Sequence, residues 1–134
     1  MNRKGLRFLG AFATLLYILA LAGCGHDQQL TSITVEPNTE DFGFPDRSLH
    51  VQLRALGHYI HPPVTKDITD QVTWATNTAD VATVSSTGLL APGGTACGDA
   101  LITATVQTNH STADRPSSGA IITDSMTATV ECPP

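Results

Sequence analysis

The chain has 134 residues, and 111 remain once the first 23 are set aside as a leader, enough for one core but not for two. Charged residues make up only 14%, and the part after position 23 carries four basic against twelve acidic side chains, a net −8. That balance argues against nucleic acid or an anionic membrane face as a partner, since both need clustered Lys and Arg, and the low charge excludes a coiled coil or a charged disordered tail.

The elements begin with an address. Arg3, Lys4 and Arg7 form a positive stretch, and Phe8 to Leu21 is an apolar run of fourteen residues. A helix needs about 20 residues to cross ~30 Å of hydrocarbon, so this run fits a signal peptide and not a membrane span. Leu21-Ala22-Gly23-Cys24 follows and resembles the bacterial lipobox, which implies cleavage after Gly23 and lipidation of Cys24. Two or three acyl chains on that Cys anchor a protein stably, where one alone does not. The residue after it is Gly25 and not Asp, which favours an outer membrane or cell-surface location over the inner membrane. Residues 24–29 form a short tether, and the five from Gly25 to Gln29 reach about 17 Å when extended.

Residues 30–134 then read as strands. Thr31 to Glu36 alternates with Ile33 and Val35 on one face. Leu49 to Ala55 alternates with Leu49, Val51, Leu53 and Ala55 together. Val72-Thr73-Trp74 and Val81 to Val84 are short and β-rich. Ala100 to Val106 and Met126 to Glu131 alternate again, with Ile102, Ala104, Met126, Ala128 and Val130 on inner faces. Period-two segments separated by Gly, Pro, Asn and Asp predict an all-β antiparallel sandwich of about seven strands. The predicted core is Ile33, Val35, Val51, Leu53, Trp74, Val84, Ile102, Ala104, Met126, Ala128 and Val130.

The order Asp67-Ile68-Thr69, Val72-Thr73-Trp74, Asn77, Val81-Ala82-Thr83-Val84, Gly88-Leu89-Leu90-Ala91 and Ala100-Leu101-Ile102-Thr103-Ala104 resembles the bacterial immunoglobulin-like domain of group two. Ser32 to Pro37 resembles its first strand, and Gly57-His58-Tyr59 the start of its first hairpin turn. The resemblance spans roughly Leu30 to Val130. It implies an immunoglobulin-like fold and non-catalytic work at a cell surface, by presentation or by protein or glycan contact. Two segments depart from the family: the Gly93–Gly98 turn is long and contains Cys97, and Gln107 to Thr123 is a long polar link. A link of that length is either functional or loosely ordered, and it holds two candidate binding residues, His110 and Arg115.

With Cys24 lipidated, Cys97 and Cys132 are the remaining thiols, and an even count in an exported domain predicts a disulfide. Pairing the last two strands with Ile102 opposite Ala128 brings both to one end of a hairpin, one residue out of register. Their spacing does not suit a metal or redox pair. His58 and His61, with His50 nearby, have the residue types of a metal site, but positions three apart on a strand face opposite ways. Asp67 and Asp70 suit turn chemistry, with Ca²⁺ as the lesser alternative. Phe42-Gly43-Phe44-Pro45 is placed to turn one ring outward. Phe42 with Tyr59 is then a candidate sugar platform, against the alternative of Phe44 packed under an edge strand and Phe42 partly exposed. No sequence signature of nucleophilic catalysis, metal hydrolysis or nucleotide binding occurs, so no cofactor and no catalytic residue is predicted. The predicted partners are a membrane, through the lipid on Cys24, and an unidentified protein or glycan.

Overall fold

A computed structural model describes residues 28–108, 111–112, 115–116 and 119–134. The expected leader, Cys24 and most of the expected tether therefore lie outside the described residues, as does His110. The described chain contains twelve strands. They are β1 (Gln29–Glu36), β2 (Thr39–Asp41), β3 (Val51–Gln52), β4 (Arg54–Ile60), β5 (Val64–Asp67), β6 (Thr73–Thr76), β7 (Ala82–Val84), β8 (Leu89–Pro92), β9 (Gly98–Gln107), β10 (Ser111–Thr112), β11 (Arg115–Pro116) and β12 (Ile121–Val130).

The longest unit is the antiparallel pair β9–β12, ten residues on each side, running from Gly98 opposite Val130 to Gln107 opposite Ile121. Alternation explains it: Ala100, Ile102, Ala104, Met126, Ala128 and Val130 are all buried, and the residues between them face out. Adding β6 beside β9 and β2 beside β12 makes a four-stranded sheet, β2-β12-β9-β6. β2 lies parallel to β12, whereas the preceding β1 belongs to the opposite layer. The chain changes sheets at Pro37, which has no N–H to continue a ladder. Asp124 closes this seam, its carboxylate accepting the Val35 N–H at 2.7 Å.

The opposite layer is built on β3 and β4, which form one run interrupted at Leu53. β1 pairs along one side of it. β8 and β5 share the other side in turn: Leu53 N–H donates to Gly88 O and Ile68 N–H to Ala55 O, two residues further on. β7 completes the layer beside β8. The two layers enclose a core in which Val35, Leu53, Ile68, Leu90, Ile102, Met126 and Val130 are almost fully buried. This is the all-β sandwich that the alternation predicts.

The differences from the sequence reading are local. Ile102 stands opposite Met126, not Ala128, a shift of two residues. The second strand begins at Val51, leaving Leu49 exposed in the preceding loop. Gly57-His58-Tyr59 lies inside β4, and the turn comes at His61 to Pro63 instead. Val51, Trp74 and Val84 are half-buried against the core, whereas Ile68, Val72, Val81 and Leu90 are buried within it. The long polar link narrows to residues 108–120 and contains the β10–β11 hairpin, since Ile121 to Thr123 already belong to β12.

Candidate functional site

Phe42 and Tyr59 do not form one platform. Phe42 follows β2, donates its N–H to Thr129 O at 3.0 Å and is buried at 8% exposure. Gly43 at φ +63 then reverses the chain, so the exposed ring is Phe44, at 56%. The positive φ suits glycine because it has no Cβ. Tyr59 lines a cavity with Val106 and Gln107, whereas Thr129 stands opposite Asp99. From Asp99 to Val106 along β9 is about 23 Å at ~3.3 Å per residue, so the two rings lie at opposite ends of the sandwich. One side of Tyr59 packs on the core, and Lys66 Nζ lies 5.0 Å from its ring centroid. That contact occupies a surface on which a sugar would stack.

One of the candidate histidines is tied into the sheet and another lies in a turn. His58 sits on β4 with Nε2 2.9 Å from Thr34 Oγ1 and Nδ1 3.1 Å from Thr65 Oγ1, bridging β1, β4 and β5. His61 has φ 62 in the turn that follows. Among the described residues, no three His, Cys, Asp or Glu side chains come close enough to share a metal ion. Cys97 and Cys132 form a disulfide with Cα atoms 5.0 Å apart, at the end of the β9–β12 pair as the hairpin argument predicts. Arg115 falls in β11, within the polar link.

An open cleft of about 550 Å³ lies where β5 and β8 part along the β3–β4 run, lined by Gln52, Arg54, Asp67, Asp70 and Thr87 among others. Asp67 does turn work there. Its Oδ1 accepts the N–H of Thr69 at 3.1 Å as well as the Thr69 hydroxyl, and its Oδ2 accepts Arg54 Nε at 3.0 Å. The Thr69 hydroxyl, then the Thr69 N–H, then Arg54 hold the Asp67 carboxyl below its ordinary value of 3.8. A carboxyl lowered in the folded state stabilises above its unfolded pKa, and that contribution disappears as pH falls through the lowered value. The expected result is a urea midpoint that is level above the ordinary carboxylate range and declines below it. Asp67→Asn should flatten part of that decline; an unaltered slope in urea titrations at several pH values would show that Asp67 is not a source of it.

The surface that sequence reading did not single out is the outer face of the four-stranded sheet. Register places Thr123, Thr105 and Thr73 in one row across β12, β9 and β6, and Ser125, Thr103 and Ala75 in the next. Thr39, Thr127 and Leu101 make a third row, and Asp41, Thr129 and Asp99 a fourth, with Thr129 Oγ1 donating to Asp99 Oδ1 at 2.8 Å. Rows are about 6.7 Å apart along a strand and neighbours about 4.8 Å apart across strands. Seven threonines and a serine thus pave one face, and its charges sit only in the last row. The signal was present as the outward half of each alternation, Thr103-x-Thr105 and Thr123-x-Ser125-x-Thr127-x-Thr129. Only the strand order shows that these halves are neighbours.

An antiparallel sandwich with an N-terminal strand shared between its two sheets defines an immunoglobulin-like domain. The family model of the bacterial Ig-like domain (group 2) matches residues 52–115, from the end of β3 into the β10–β11 hairpin. Residues 52–115 thus match the group 2 bacterial Ig-like family, whose members are surface- and adhesion-type domains and generally non-catalytic. β1 and β12, outside the matched segment, belong to the same sandwich. No curated protein matches the chain.

Proposed function

We propose that this protein is a non-catalytic cell-envelope lipoprotein, held at an outer membrane or cell surface by lipid on Cys24, whose Ig-like domain makes protein contacts. The observation that carries the reading is the order of parts: a lipobox-like Leu21-Ala22-Gly23-Cys24, five tether residues, then a group 2 bacterial Ig-like domain. The hydroxyl-paved face is broad and nearly uncharged and has no aromatic rings at its outward positions, so it offers no ring on which a glycan would stack. The separation of Phe42 from Tyr59 points the same way.

The test is protease accessibility on intact cells, beside a Cys24→Ser variant followed by fractionation. Digestion on intact cells is expected, together with loss of the variant from the membrane fraction. Protection until the envelope is opened would instead support a second reading, a subunit that docks on a larger envelope complex facing the periplasm. β5 favours that alternative in one respect: all four of its residues, Val64 to Asp67, are exposed on a strand that can accept a partner strand.

A further inference from the structure

We propose that the end of the sandwich that receives the N-terminal segment docks onto the phospholipid headgroup layer of the bilayer holding the anchor. This rests on the lipoprotein reading above. The chain enters the domain at Gln28 and Gln29, and Gln29 pairs with Ile60 at the end of β4. Gln28, Tyr59 and Gln107 line one cavity of about 220 Å³ that opens at this end between the two sheets. Lys66 donates to Gln28 Oε1 and lies over Tyr59. Ile121, opposite Gln107, is the most exposed of the large apolar side chains among the described residues at 69%, and Val64, opposite Tyr59, is exposed as well.

Those residue types match a membrane–water boundary. Tyr sits at headgroup level, Lys places its ammonium beside lipid phosphates with its stem on apolar surface, and Ile and Val enter the acyl boundary. The tether supplies proximity, since about 17 Å of extended chain keeps this end within reach of the headgroups and makes docking intramolecular. The net −8 opposes an anionic surface only if its charges are near it. Glu40, Asp41, Asp80, Asp99 and Glu131 gather toward the opposite end: Glu40 and Asp41 pair with Ala128 and Thr129, Asp99 with Thr129, Glu131 N–H donates to Gly43 O, and Ala96 N–H donates to Asp80 O. That end is some 23 Å away along β9, beyond the ~8 Å screening length at physiological salt. Asp70 and Asp124 lie nearer, Asp27 directly precedes Gln28, and Asp114 falls between Gln107 and Ile121 in the chain; these limit the attraction that Lys66 provides. Docking by this end stands the sandwich upright, with the hydroxyl-paved face turned sideways and the acidic end outward.

The experiment uses the full processed chain in vesicles of phosphatidylethanolamine and phosphatidylglycerol. A nitroxide is attached at Ile121→Cys or, as a control at the far end, at Thr129→Cys, and its collisions with oxygen and with a water-soluble nickel complex are compared. The expected result is headgroup depth at position 121 and an aqueous environment at 129, with Lys66→Gln shifting position 121 toward water about fivefold. Circular dichroism confirms that this exposed substitution leaves the fold intact. Equal aqueous exposure of both labels in an acylated, vesicle-bound protein would overturn the docking alone. A Cys24 without acyl chains, in a protein that stays out of the vesicles, would overturn the lipoprotein reading and the docking with it.

Discussion

Replacing Cys97 and Cys132 together by alanine is expected to lower the stability of the domain by ~3–4 kcal/mol. The bond joins positions 35 residues apart, and the entropy of closing a loop of that size in the unfolded chain sets the figure. Its position adds to the effect. Cys97 precedes β9 and Cys132 follows β12, so the bond ties off the two central strands of the four-stranded sheet. For a domain of about 100 residues such a loss is a large part of a total stability of 5–15 kcal/mol. Urea unfolding of the double variant, beside the native protein with and without reductant, measures it. A midpoint unchanged in both comparisons would show that the disulfide contributes nothing to the folded domain.

Ile102→Ala is expected to cost 2–5 kcal/mol, whereas Leu101→Ala, one residue away, should stay within about half a kcal/mol of the native protein. Ile102 is fully buried between Met126 on β12 and Thr76 on β6, so truncation leaves a cavity that two flanking strands hold open. Leu101 is 43% exposed on the opposite face, in a row with Thr127. The comparison isolates the face of the strand from its sequence neighbourhood. Equal effects at the two positions in thermal or urea unfolding would mean that β9 does not face the core as its register requires.

Much of this architecture was legible as alternation. Ile33 and Val35, Ile102 and Ala104, and Met126, Ala128 and Val130 declare their faces because each strand has one side in the core. The register of β9 on β12 was not, and the reason is the same period. A shift of two residues returns every side chain to the face it had, so Met126 and Ala128 are equally good partners for Ile102 by pattern alone. Alternation cannot choose between them; hairpin register follows from loop length and turn geometry, and the polar composition between the two strands carries little of that.

The aromatic pair failed for a different reason. In Phe42-Gly43-Phe44 either ring can turn inward, and the choice falls to β2, whose parallel pairing with β12 is a long-range event. Ile68 was missed because a lone apolar residue in a polar turn shows no period, although it fills the core behind β4 and β5. The hydroxyl face lay open in the sequence as single strands and closed as a surface, since it exists only once β6, β9, β12 and β2 stand side by side. Chemistry local to a few residues was readable in the Asp67 turn with Thr69, and the even cysteine count with the β9–β12 hairpin made the pairing of Cys97 with Cys132 readable over 35 residues.

In the proposed function, a domain matching the group 2 bacterial Ig-like family is displayed on a lipid anchor. Intact-mass and peptide spectrometry of the protein purified from the membrane fraction tests it most directly. The expected result is a mature chain that begins at Cys24 and carries acyl chains on that residue, with Cys97 and Cys132 oxidised to each other. A mature N-terminus at any other residue, or an unmodified Cys24 thiol, would contradict it.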